Sequence, residues 1–255
     1  MINKNLLIAS FAALVLVSSA AAEITNLTLY PIANTVGDNT TFAPGFDGSA
    51  WQAGGTSTKA ELYLPTSVLF TNPVKISDIA SISYWTNKPG DVTKVDWSLL
   101  LYTNKTNSGD AGSFYHNRLN AEPYQTGTPS GSDLPGTWHQ WSSDGSSALQ
   151  FYDYNRNGNN YNFGTSLSNI TSGPVTWGNG QTVDYRDETL KFVSLQTASA
   201  WSNGFTGDLD GLTITLKDGS TANVNFEATP EPGTFVLLGT GLIGGFFVRR
   251  RALRQ

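Results

Sequence analysis

Apolar residues recur at alternate positions in several short runs, and no stretch of useful length repeats them at the spacing of a helix. Val95, Trp97, Leu99 and Leu101 lie on one face of one run. Leu212, Ile214 and Leu216 alternate with threonines and Lys217 in another. Leu190, Phe192 and Val193 open a third, and Val224 and Phe226 close the region. The run from Ile76 to Trp85 starts unevenly and then alternates. Side chains at i, i+2 and i+4 share one face of a strand, so these runs predict half-buried strands, with Trp85 and Trp97 in the core. Turn-forming clusters separate them, at Asn87-Lys88-Pro89-Gly90-Asp91 and within 103–112, 127–136 and 155–160. Many short strands with polar turns and no repeat period predict an all-β fold, a single antiparallel β-sandwich of jelly-roll type over residues 23–228. The Pro/Gly/Ser-rich stretch 123–136 reads as a long loop within it.

That domain must hold together by its core, because the chain contains no cysteine. Disulfides, thiol nucleophiles and thiolate zinc sites are thereby excluded. Charge narrows the partners. Lys4, Arg249, Arg250, Arg251 and Arg254 account for five of the 15 cations and Glu231 for one of the 20 anions, so residues 23–230 carry about −9. Nucleic-acid binding needs a basic patch to neutralise phosphates, so nucleic acid is not an expected partner.

Both ends differ from the middle. Residues 1–22 join one cation, Lys4, to an apolar stretch from Leu6 to Val17 and a small-residue site, Ala20-x-Ala22. This is the pattern of a secretory signal peptide, with cleavage expected after Ala22. Residues 229–255 run from Pro230-Glu231-Pro232 through an apolar segment, 234–248, to Arg249-Arg250-Arg251. Fifteen residues give a helix of about 22 Å, short against a hydrocarbon core of about 30 Å, and four glycines weaken it. A short, transient inner-membrane helix follows, with the arginines on the cytoplasmic side. The order of these three parts resembles the PEP-CTERM sorting signal of Gram-negative bacteria. The resemblance implies recognition by an exosortase, a membrane-embedded transpeptidase, and a place among exopolysaccharide- and biofilm-associated proteins of the cell surface or extracellular matrix.

Chemistry-bearing motifs in the middle are sparse. The two histidines, His116 and His139, lie in no zinc pattern, and no GxSxG elbow occurs. A glycan-active hydrolase needs two carboxylates across a cleft. Glu61, Asp96, Glu122, Asp153, Asp184 and Glu188 are available, but nothing in the sequence pairs them, so the expectation is a non-enzymatic protein without an obligatory cofactor. Asp153-x-Asn155-x-Asn157-Gly158 matches the opening of a calcium loop, whose alternate oxygens face one point. Its twelfth position is Gly164 rather than a bidentate acid, so Ca2+ would be held by one formal charge; an Asx-rich hairpin is the competing reading. Asp208 and Asp210 form a second candidate pair on one strand face, with an exposed strand end as the alternative. The segment around them resembles the closing strands of galactose-binding-like and lectin-like sandwiches, which implies that fold more than any ligand; a carbohydrate-binding module is the alternative function, resting on the aromatic residues and the sorting signal. Trp138, His139, Trp141 and Tyr154 are the candidate glycan contacts, since flat rings stack on sugar C–H faces. Trp138 and Trp141 are three apart, so a regular strand exposes at most one of them.

Overall fold

The computed structural model describes residues 22–29, 43–54, 60–88, 96–104, 117–123, 136–145, 148–153, 156, 164–197 and 206–227. In chain order the strands are β1 (Ile24–Leu29), β2 (Trp51–Gly54), β3 (Glu61–Pro65), β4 (Ile79–Asn87), β5 (Ser98–Thr103), β6 (Arg118–Ala121) and β7 (His139–Ser142). They continue with β8 (Gln150–Asp153), β9 (Thr165–Ser166), β10 (Val175–Thr176), β11 (Thr182–Val183), β12 (Leu190–Gln196), β13 (Thr206–Leu216) and β14 (Thr221–Phe226). Two short helices interrupt them, α1 (Thr66–Leu69) and α2 (Leu167–Ser172). Strand therefore dominates, as the alternation requires.

One sheet has the order β1-β14-β13-β4-β7, with β2 also on β13; the other is β3-β12-β5-β6-β8-β9. Their inner faces supply a single apolar cluster. From the first sheet come Ile82, Tyr84, Trp141, Leu212, Ile214 and Val224, and from the second Leu64, Leu99, Leu101, Leu119, Val193 and Leu195. Trp51 and Trp97 meet at its centre, with ring centroids 4.8 Å apart. Burying each such aliphatic side chain is worth about 1.5–3 kcal/mol, which is how a domain without disulfides stays folded.

Three local features depart from the sequence pattern. Pairing is antiparallel except for β1, which runs parallel to β14. Trp85 faces away from Ile82 and Tyr84 and is half-buried, correcting its expected place in the core: it sits over Gly211 in β13. Gly211 has φ +62°, and a Cβ there would come within 2.5 Å of Phe46 and 2.9 Å of Trp85. Only glycine fits that bulge, where β13 passes from pairing with β2 to pairing with β14. Finally, β5 is buried on both faces rather than one. It lies between β12 and β6, with Leu100 opposite Ser194 and Asn120 on the face turned from the core.

The uneven start before β4 is a 3-10 turn, Ile76–Asp78, closed by Asp78 Oδ2 accepting from Lys75 N at 2.8 Å. Helix α2 is capped by Ser166, whose hydroxyl accepts from Asn169 N, and buries Leu167, Ile170 and Thr171. Six residues are too few for a helical period to stand out in sequence. Among the described residues no helix is long and apolar enough to cross a membrane. The signal peptide before Ala22, the sorting segment 229–255, Tyr154, Asn155 and Asn157 lie outside the described residues.

Candidate functional site

Asp153 ends β8, and its register opposite Leu119 turns it toward the domain interior, where it is 1% exposed. Asp153 Oδ2 accepts from Tyr185 Oη at 2.8 Å, and Oδ1 from Arg156 N at 2.8 Å. The Arg156 guanidinium lies 3.7 Å from Asp153 and 2.9 Å from Glu188, both buried. Glu188 also accepts from Thr103 Oγ1 at 2.6 Å, and Trp177 Nε1 donates to Tyr185 Oη at 2.9 Å. Burial opposes the Arg156 charge, but Glu188 and Asp153 outweigh it and raise the guanidinium's pKa. Burial, together with Asp153, raises the Tyr185 phenol. The first residue of the calcium-like loop thus already has a cation, and that cation is the fourth residue of the same loop. Its Asp–Tyr–Arg–Glu arrangement clasps β8 to the segment before β12. Sequence pairing missed it because Arg156 and Glu188 are 32 residues apart.

Asp208 and Asp210 do share a face of β13, but at 0% exposure they are not an exposed strand end. Asp208 Oδ1 accepts from Gln52 Nε2 at 2.8 Å. Asp210 accepts from three backbone amides: Gly211 at 2.7 Å, and Ala43 and Phe226 at 3.0 Å. Burial pushes its carboxyl up to about 6 against those donors. These oxygens brace β13 against its neighbours. Among the described residues no three His, Cys, Asp or Glu side chains are arranged to hold a metal ion.

The candidate glycan platform divides. Trp141, on edge strand β7, points into the core at 1% exposure and offers no ring to a surface ligand, which corrects its candidacy. Its Nε1 donates to Thr86 Oγ1 at 2.8 Å, and Thr86 in turn donates to Asp96 Oδ2 at 3.0 Å. Asp96 is pushed up to about 6 by burial. His139 packs on Trp141, with centroids 4.2 Å apart, and burial lowers its pKa, helped by Lys88. Trp138, just before the strand, is half-buried, and its indole N–H has no partner among the described residues.

A second polar and aromatic set escaped the sequence reading. On the outer face of the second sheet, the Tyr63 and Tyr102 rings meet at a tilt with centroids 5.6 Å apart, with Arg118 5.9 Å from the Tyr102 ring. Gln196 Nε2 lies 3.4 Å from Tyr102 Oη, Asn120 Nδ2 donates to Tyr152 Oη at 3.1 Å, and Tyr152 donates to Glu122. Tyr63 and Phe192 remain half-buried at its edge, in T-shaped contact at 6.3 Å. A signal existed: Ser98, Tyr102, Arg118, Asn120, Ser194 and Gln196 occupy the positions between core residues, where polarity usually means solvent.

What remains is the C-terminal segment. A β domain whose buried acids serve its own strands, followed by an address at the chain's end, defines a class of exported cargo marked for sorting. Residues 228–251 match the family described as the PEP-CTERM protein-sorting motif. The chain thus carries a PEP-CTERM sorting signal, which implies export toward the cell surface and processing by an exosortase. No curated protein and no solved structure matches it.

Proposed function

We propose that the chain is a non-enzymatic component of the cell surface or extracellular matrix. In this reading it is delivered by its signal peptide, held briefly in the inner membrane by 234–248, and released or attached outside after processing. The observation that carries the reading is the sorting motif at 228–251. The domain supports it, since Asp96, Asp153, Glu188 and Asp210 accept hydrogen bonds from the protein's own groups. Those bonds favour structural roles over an acid–base pair. The strand orders β2-β13-β4-β7 and β3-β12-β5-β6 support a jelly roll: the chain changes sheet at each step from β2 to β5, again from β6 to β7 and from β12 to β13, while β5 and β6 stay together. The test is intact-mass analysis of the exported protein with and without substitution of Pro230-Glu231-Pro232. Processing near the motif in the natural chain and none in the variant is expected; the same C-terminus in both defeats the reading.

Carbohydrate binding is the second reading. It is favoured by the half-buried Trp138, Tyr63 and Phe192 rings in an acidic exported domain with exopolysaccharide-associated sorting. Polysaccharide pull-down with the exported protein is expected to weaken in Trp138→Ala or Tyr63→Ala. No binding to any matrix polysaccharide would sink it.

A further inference from the structure

The fold begins where the leader is expected to end. Ile24 is the first residue of β1, and Glu23 N, which would be freed by a cut after Ala22, donates to Ser220 Oγ at 3.0 Å. Ser220 N donates to Asp218 Oδ1 at 2.8 Å, so one turn between β13 and β14 carries both the hydroxyl and a carboxylate. Glu23 is held from its other side as well. Thr221 N donates to its carbonyl at 2.7 Å, and Thr71 N and Oγ1 donate to its carboxylate at 3.1 and 2.7 Å. Glu23 and Ser220 border a cavity of about 540 Å³ that Asp78, Lys217 and Asp218 also line. Ala22 is exposed and lies beside Gly219 of the same turn.

We propose that this turn is the binding site for the protein's own new N-terminus: leader removal turns Glu23 N into an α-ammonium, which pairs with Asp218 and Ser220 and pins β1. The chemistry is complementary. A neutral amide offers one N–H, whereas an ammonium offers three and a positive charge, in a cleft where the carboxylates of Asp78, Asp218 and Glu23 outnumber the cation of Lys217. The order of events follows from the same geometry. A leader peptidase needs an extended, accessible chain across Ala22–Glu23, but the docked strand has both sides of Glu23 engaged, so β1 docks after the cut. It is suited to docking late: its pattern alternates exposed with half-buried residues, Ile24 is 71% exposed, and only Leu27 and Leu29 pack against the core. The rest of the core can form without it.

The inference rests on export through an N-terminal leader, and the experiment separates the two. The full chain is exported from a Gram-negative host, and the masses of both ends are read in one spectrum. The N-terminal amine is then titrated by its rate of acylation, folded and in urea. The expected start is Glu23, with an amine pKa raised by about half a unit above the ordinary 7.7–8.0, giving about threefold slower labelling near neutral pH than in urea. Asp218→Asn, at an exposed position of the turn, and Ser220→Ala, at its buried end, are each expected to abolish the difference. An ordinary pKa in the folded protein, or a raised one that neither variant alters, overturns the proposal. A start elsewhere than Glu23 also overturns it, while the C-terminal mass reports independently on sorting.

Discussion

Replacing Arg156 with Met tests whether the interior clasp is structural. The substitution keeps most of the side chain's length and removes only the charge and its donors. Glu188 and Asp153, whose side chains are each 2% exposed, then lose the guanidinium at 2.9 and 3.7 Å. Removing one partner of a buried ion pair costs about 3–5 kcal/mol, because the remaining charge stays desolvated. Thr103 and Tyr185 still donate to the two carboxylates, which places the loss toward the lower end. For a domain of this size that is a fall in Tm of about 6–12 °C. Chemical denaturation and thermal melts measure it against Lys75→Met, which breaks the exposed, solvent-screened Lys75–Asp187 pair at 2.8 Å and is expected to cost far less. The pH dependence carries the mechanism. Without the cation, burial raises both carboxyl pKa values in the folded state, so the deficit is largest above neutrality and shrinks as acidification protonates them. Adding Glu188→Gln to Arg156→Met is expected to recover part of the loss, since a neutral amide needs no counter-charge. An Arg156→Met loss no greater than that of Lys75→Met, or one that does not shrink on acidification, would refute the clasp.

Two further outcomes follow from the buried groups. Asp96 and Asp210, both raised to about 6 by burial, are easier to protonate folded than unfolded. Stability is therefore expected to rise as pH falls from above 6 toward 4, by up to about 3 kcal/mol per group, and Asp96→Asn to flatten the slope; a Tm that is level or falling over that range contradicts this. Trp141→Ala should cost about 3–5 kcal/mol through the cavity it leaves and the donor lost to Thr86, while Trp138→Ala should cost about 1 kcal/mol or less. Equal losses would mean that the two indoles have been assigned to the wrong environments.

Where the alternation was clean, as at Leu212-Ile214-Leu216 with its threonines, strand and buried face could be read directly from the residues. The same held for the C-terminal sorting motif, which depends on local order and composition rather than on folding. Trp85 shows the limit: its alternation was visible, but the choice of face depends on Gly211 across a bulge, 126 residues later. The acids show a second limit. Asp153 opens a calcium-like motif in sequence, and only the fold brings Arg156, Tyr185 and Glu188 around it. Asp208 and Asp210 resemble surface ligands until β13 is placed inside its sheet. Period, charge and targeting are properties of neighbours in the chain, so the sequence alone determined that this is a β-rich, acidic, exported protein with a sorting address. Which polar groups are buried, and which oxygen meets which donor, depends on strand register between distant segments. Only the tertiary structure decided that Asp153, Asp208 and Asp210, candidate ligands in the sequence, hold the domain's own strands.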